Sequence, residues 1–269
     1  MPRSICSTRD RAAQSRNSQM EGVTRHNPRP MSGRFICYVW LLACGVACAA
    51  DSDTVEQSVT PAELFPPAQA KSLAYTLDPE RRITYRVRLP PGAAPHGVLV
   101  FVSPRDDAGL REGWAEVLDR RNIAWIAAED FGNDRRTSQR VLVALLALKQ
   151  LQRTLPLDRD RLYIGGMSGG GRVASQALAR FPGFFSGALC IVGADYVAPE
   201  SALVPELATK RVVFMTGDGD FNRREMRSVY SRFLDAGVTH AHLIDLEDFD
   251  HQYPDADQLD AALELLDSR

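Results

Sequence analysis

The chain has 269 residues, of which 45% are hydrophobic and 25% charged, with a formal net charge of −2. That is the range of an ordinary soluble globular protein, long enough for one sizeable core, and no repeat of fixed period runs through it. From Asp51 onward there are 25 basic and 32 acidic residues, so nothing points to nucleic acid.

The first 34 residues hold seven Arg and two acids and lack apolar periodicity. They lead into the apolar run Phe35 to Ala50, short for a membrane span and suited to a signal-peptide core. Ala47-Cys48-Ala49 supplies a cleavage pattern, and Met31 to Arg34 makes a charged n-region if translation begins at Met31, which would leave residues 1–30 as an over-extended start. A membrane anchor, or a lipidated Cys44 in a half-fitting lipobox, are other readings of the same run. Each sends the protein out of the cytoplasm, to the periplasm or beyond, and with cleavage no stable membrane span is expected. The expected organisation is a leader over 1–50, a polar linker over 51–70 and one α/β domain over 71–269.

Cys6, Cys37, Cys44 and Cys48 fall in the leader, leaving only Cys190. The folded part therefore has no internal disulfide and depends on its core. Cys190 lies within an apolar strand-like run and reads as a small buried hydrophobe.

Beyond the linker, Arg82 to Leu89 alternates apolar and polar residues, the pattern of a half-buried antiparallel strand. Val98 to Val102, Ile123 to Ala128, Arg161 to Gly166, Gly187 to Val192 and Val212 to Thr216 are continuous apolar runs, as in strands covered on both faces. His242 to Leu246 is a weaker, edge-like strand. Helical spacing fills the gaps: Trp114 with Val117 and Leu118, Val141 to Leu151, Gly170 to Phe181, Met226 to Phe233 ended by Gly237, and Leu259 to Leu266 behind an Asp255 cap. This alternation predicts an α/β fold, a mostly parallel sheet with helices on both faces.

Within that alternation, Gly166 to Gly170 reads G-x-S-x-G between a strand and a helix. A serine on a strained turn needs neighbours almost free of side chains, so that strand and helix can approach, and this accounts for the glycines around Ser168. The Gly169 N–H, at the helix start, is placed to face an oxyanion. A phosphate-binding glycine loop is the alternative, but neither of its usual spacings is present.

A serine needs a base. His96, His240 and His242 lie at or near the starts of their strands, at the end of the sheet opposite the turn, whereas His251 follows the last strand and reaches the correct edge. The orienting acid is expected after Val212 to Thr216, where Asp218 and Asp220 stand. With Asn222 they imitate the opening of a calcium loop, but Arg223 and Val229 occupy the positions where Gly and Glu are required, so no metal is expected. Asp195, after the preceding strand, is a further candidate acid.

The order Ser168, then an acid, then His251 resembles the α/β-hydrolase superfamily, and "GMSGGGRVAS" is similar to the elbow of its secreted esterase and polyhydroxyalkanoate-depolymerase-like branch. The resemblance covers roughly Ala74 to Leu266, implies an α/β-hydrolase fold, and favours Asp220, three residues beyond Gly217. It departs at "VSPRDD" after Val98 to Val102, where members often carry His-Gly. Pro104 has no N–H to give, so Ser103 or Arg105 must supply the second oxyanion donor.

Only about 19 residues separate the runs ending at Val192 and beginning at Val212, too few for a separate cap domain. Arg105, Asp106, Asp107, Arg111, Glu129, Asp130, Asn133 and Asp134 should make a polar rim. The expectation is hydrolysis of a carboxylic ester, small or polymeric, through an acyl-serine and with no cofactor. A single-domain serine peptidase or a catalytically silent binding protein on the same fold are the alternatives.

Overall fold

The computed structural model describes residues 54–268. The leader, its cleavage pattern, the alternative start and the cysteines it contains lie outside the described residues. In chain order the elements are β1 (Val55–Val59), α1 (Pro61–Leu64), α2 (Pro67–Leu73), β2 (Ile83–Arg88), β3 (His96–Val102), α3 (Trp114–Arg120), β4 (Ile123–Ala128), α4 (Thr137–Thr154), β5 (Leu157–Met167), α5 (Gly169–Arg180), β6 (Gly187–Ile191), a 3-10 turn (Ser201–Leu203), α6 (Val204–Leu207), β7 (Arg211–Gly217), α7 (Arg223–Asp235), β8 (His240–Leu246) and α8 (Ala256–Asp267).

The strands form one sheet in the order β1-β2-β4-β3-β5-β6-β7-β8. The β1–β2 and β2–β4 pairs are antiparallel and every other pair is parallel. The apolar runs are central because both their faces are covered. Along β3, Val98, Val100 and Val102 point into a core packed by α4, α5 and α7, while Leu99 and Phe101 point into a second core packed by α3 and α8. That is the period of two expected of a strand, with each face buried against helices.

Residues 51–70 do not form the expected linker over their described part. Val55 to Val59 pair with Val87 to Ile83 as an edge strand, and Thr60 opens α1 with a capping box, its hydroxyl accepting from the Glu63 N–H while the Glu63 carboxylate accepts from the Thr60 N–H. Only Val59 of β1 is buried. A strand with a single buried side chain carries no hydrophobic pattern, so its composition resembles a linker's. The α/β unit therefore includes residues ahead of position 71.

Helix ends follow the sequence. Asp255 caps α8 in a capping box with Gln258, and Gly237 adopts φ +87° just past α7, where the Val238 N–H bonds back to the Phe233 carbonyl. Between β6 and β7 the chain contributes only the 3-10 turn and the single turn of α6, so among the described residues no cap domain is inserted at that connection.

Candidate active site

β5 ends at Met167 and α5 begins at Gly169, so one residue makes the whole turn. That residue is Ser168, with φ 55° and ψ −119°, a conformation that costs a non-glycine residue on the order of 1–3 kcal/mol and persists only where its surroundings enforce it. The surroundings are backbone. A Cβ at Gly166 would collide with the Gly170 carbonyl, one at Gly170 with the Val102 carbonyl oxygen, one at Gly171 with the Gly193 carbonyl oxygen, and one at Gly193 with the Ser168 carbonyl. The glycines thus let β5, α5 and the loop after β6 close on the serine. Val192 in that loop also has a positive φ, 44°, unusual for a β-branched residue.

His251 Nε2 lies 2.9 Å from Ser168 Oγ, and its Nδ1 lies 2.8 Å from Asp220 Oδ1. A carboxylate can only accept, so Nδ1–H donates to Asp220, and Nε2 then accepts from the serine hydroxyl. Asp220 is buried at 4% exposure and has two more donors: the Thr216 hydroxyl at 2.6 Å on Oδ2 and the Asn222 N–H at 3.0 Å on Oδ1. The sheet order explains the meeting. β5, β6, β7 and β8 are successive parallel neighbours, so the turns after β5, β7 and β8 leave from the same edge, as ligand sites in such sheets do.

The other candidate acids are occupied elsewhere. Asp218 is exposed and its carboxylate accepts from the Phe249 N–H at 3.3 Å, so it braces the histidine's loop without touching the imidazole. Asp195 accepts from Arg172 and from the Gln176 amide, each at 2.7 Å. His96, at the opposite sheet end, bonds Asn122 at 2.8 Å.

The loop carrying His251 is anchored on both sides. Phe249 is buried, and a side chain at Gly217 would collide with it. Tyr253 packs against Phe101 and Trp114, and the Trp114 indole N–H donates to the Pro254 carbonyl at 2.9 Å. On the solvent side the imidazole is stacked by Phe221.

Of the two possible second oxyanion donors, the Arg105 N–H is engaged by Ser103 Oγ at 3.1 Å, which favours Ser103. The polar rim is laced to itself. Asp130 N–H donates to the Asp106 carbonyl, Asn133 N–H to the Pro104 carbonyl, Gly132 N–H to the Asp106 carboxylate and Ala108 N–H to the Glu129 carboxylate. Asp107 is exposed; the desolvation it suffers would raise its pKa, but hydrogen bonds from Arg105 and Arg111 hold it below its ordinary value.

Several contributors carry little signal in the sequence. Thr216 is the last strand residue before Gly217, and its donation to Asp220 follows only from the tight turn between them. Phe221 reads as an isolated exposed aromatic. Arg140 immediately precedes an apolar helical run and is itself buried, the one sequence cue being a cation on the inner face of a helix.

No protein-family model and no curated protein matches the chain in sequence. Among solved structures it is similar to a thermostable esterase (16% identical, TM-score 0.56, covering 80% of this chain and 62% of that one). It is also similar to an S-formylglutathione hydrolase from Staphylococcus aureus (14%, TM-score 0.56, 80% and 97%). A third likeness is to a dienelactone hydrolase from Anabaena variabilis (17%, TM-score 0.54, 79% and 95%). The chain has the α/β-hydrolase fold. Its resemblance is to the superfamily of that fold, and at such identity the likeness concerns architecture; the chain spans 62% of the thermostable esterase's length.

Proposed function

We propose that the protein is an exported serine hydrolase of carboxylic esters, working through an acyl-serine intermediate with Ser168 as nucleophile, His251 as general base and acid, and Asp220 as the orienting acid. The observation that supports this most is the unbroken chain of hydrogen bonds from Ser168 Oγ through both ring nitrogens of His251 to a buried Asp220, built on a strained turn. Strain of this kind serves folding poorly and catalysis well.

In the acylation step Ser168 Oγ attacks the ester carbonyl carbon and its proton passes to His251 Nε2. The carbonyl π pair moves onto oxygen, where the Gly169 and Ser103 N–H groups stabilise it. Collapse breaks the bond to the alcohol oxygen, which leaves with the proton from Nε2. Water then repeats the sequence on the acyl-serine, giving up a proton to His251 and releasing the acid while Ser168 regains its own. Asp220 fixes the tautomer that leaves Nε2 free to accept, and it balances the imidazolium formed in each half. These steps draw on side chains, backbone and water alone.

The short connection between β6 and β7 supports an open site, suited to a small ester or to one displayed on a polymer. Export rests on the sequence of residues 31–50, outside the described part. The test is hydrolysis of short p-nitrophenyl esters against peptide anilides, alongside labelling by a fluorophosphonate. Ester turnover and labelling that both vanish in Ser168→Ala, in a folded protein, are expected. Faster cleavage of anilides would make it a peptidase, and the absence of labelling and turnover in the wild type would make it a binding protein on a hydrolase fold.

A further inference from the structure

Arg140 stands in the first turn of α4 and is buried at 4% exposure. Its guanidinium donates from Nε to the Phe131 carbonyl at 3.0 Å, and from one terminal nitrogen to Asn133 Oδ1 at 3.0 Å and the Gly169 carbonyl at 3.3 Å. The other terminal nitrogen donates to the Ser103 carbonyl at 2.9 Å. No carboxylate forms an ion pair with it among the described residues; Asp106 acts on it only through space. Burial pushes its pKa down to about 10, which still leaves a cation at neutral pH.

A buried cation bonded only to neutral acceptors is an expensive way to fill a helix face, since an apolar side chain of similar length would pack there without the desolvation cost. What the cation does that an apolar chain cannot is visible in its acceptors. They belong to three separate segments: Ser103 after β3, Phe131 and Asn133 after β4, and Gly169 after β5. Ser103 and Gly169 are the residues whose N–H groups are proposed above to face the oxyanion. Asn133, held by the same guanidinium, occupies the space beside Gly169 where a side chain would otherwise stand. A planar fork with five donors in fixed directions is the side chain suited to tying several carbonyls in one geometry.

We infer that Arg140 is a positioning residue of the oxyanion hole, fixing from behind the two residues whose N–H groups receive the developing negative charge, and compensating for the missing His-Gly after β3. This inference rests on the serine-hydrolase reading. It also explains how a loop containing Pro104 can hold Ser103 in register with Gly169: the constraint is supplied through a carbonyl, which proline leaves intact.

The experiment compares the wild type with Arg140→Met and Arg140→Lys on p-nitrophenyl acetate, at equal folded protein verified by near-UV circular dichroism. Losing alignment in such a hole costs about 10²-fold in turnover. Arg140→Met should therefore lose kcat on that scale with KM nearly unchanged, and Arg140→Lys should fall between. A trifluoromethyl ketone forms a serine hemiketal whose oxyanion uses the same hole, so its inhibition constant should weaken by the same factor as kcat/KM. A residue serving only stability would lower the melting temperature and move neither ratio. If Arg140→Met does not fold, the same two readouts on Arg140→Lys decide. A folded variant with wild-type kcat and inhibitor affinity overturns the inference while the hydrolase reading stands. A wild type without Ser168-dependent turnover overturns both.

Discussion

Phe221 lies face to face with the His251 imidazole, ring centroids 4.0 Å apart and planes inclined by 22°, although 77% of Phe221 is exposed. An aromatic ring left so exposed gains little from burial, so its contribution is to the ring it covers. It restricts the imidazole from tilting away from the line between Ser168 and Asp220, and it shields that hydrogen-bonded line from water on one side. Such a pair is worth about 0.5–1.5 kcal/mol. Phe221→Ala should lower kcat by about 3- to 10-fold with little change in melting temperature, read from Michaelis kinetics and a thermal melt. A rise in KM at constant kcat would instead give Phe221 a role in holding substrate.

Asp220 and Asp218 are two residues apart, yet only Asp220 reaches the imidazole. Replacing an orienting acid by Asn favours the wrong tautomer and costs on the order of 10⁴ in turnover. Asp220→Asn is expected to show that loss in kcat with KM little altered. Asp218→Asn and Asp195→Asn should stay within a few-fold of wild type. Thr216→Val keeps the shape but leaves Asp220 Oδ2 without its buried donor, an effect of about 1–3 kcal/mol, so kcat should fall by at most roughly 5- to 160-fold. Stopped-time kinetics on one p-nitrophenyl ester suffices to rank the four.

The contrast shows what a sequence can express. Continuous apolar runs such as Val98 to Val102 announce strands buried on both faces because hydrophobicity is the cause of their position. The elbow announces itself because backbone contact at Gly166 and Gly170 tolerates only glycine. His251 could be chosen over His96, His240 and His242 because strand ends have a direction. β1 was illegible because an edge strand with one buried residue has no pattern to show. Thr216, Arg140 and Phe221 carry no such sign: Thr216 reaches Asp220 only through the geometry of one tight turn, while Arg140 and Phe221 meet Ser103, Gly169 and His251 across the fold, and contacts of either kind leave no periodic trace.

Cys190 is fully buried on β6 among the side chains packed by α4, α5 and α7, and desolvation raises its thiol pKa well above the ordinary value. The reactive species is the thiolate. In the native protein from Asp51 onward, Ellman's reagent at pH 8 should therefore react only as fast as the protein opens globally, with full reaction in denaturant. Rapid labelling of the folded state would contradict the placement of β6.

Arg172, in the first turn of α5, bridges to Glu225 on α7 and to Asp195. The hydrogen bond from Arg172 holds the Glu225 carboxyl below its ordinary pKa. An unfolded glutamate titrates near ~4.3, so the bridge contributes fully above that pH and fades as the pH falls through the lower folded value, where both states become protonated. The Glu225 side chain is 44% exposed, which limits the gain to about 1 kcal/mol or less. Glu225→Gln should thus be slightly less stable than wild type in urea at pH 7, and the difference should shrink steadily as the pH is lowered below the ordinary glutamate range.

The imidazole of the proposed triad follows the last strand, and among the described strands β8 has one neighbour, β7. Local opening begins where the fewest contacts must break, and an outermost strand is such a place. When β8 and its following loop detach, His251 leaves while Ser168 and Asp220 remain framed by β5, β6 and β7. Inactivation is then a smaller event than denaturation: in a slow heating ramp, the capacity to turn over ester disappears at a temperature where the helical signal is still whole, and it returns on cooling as soon as the edge closes again.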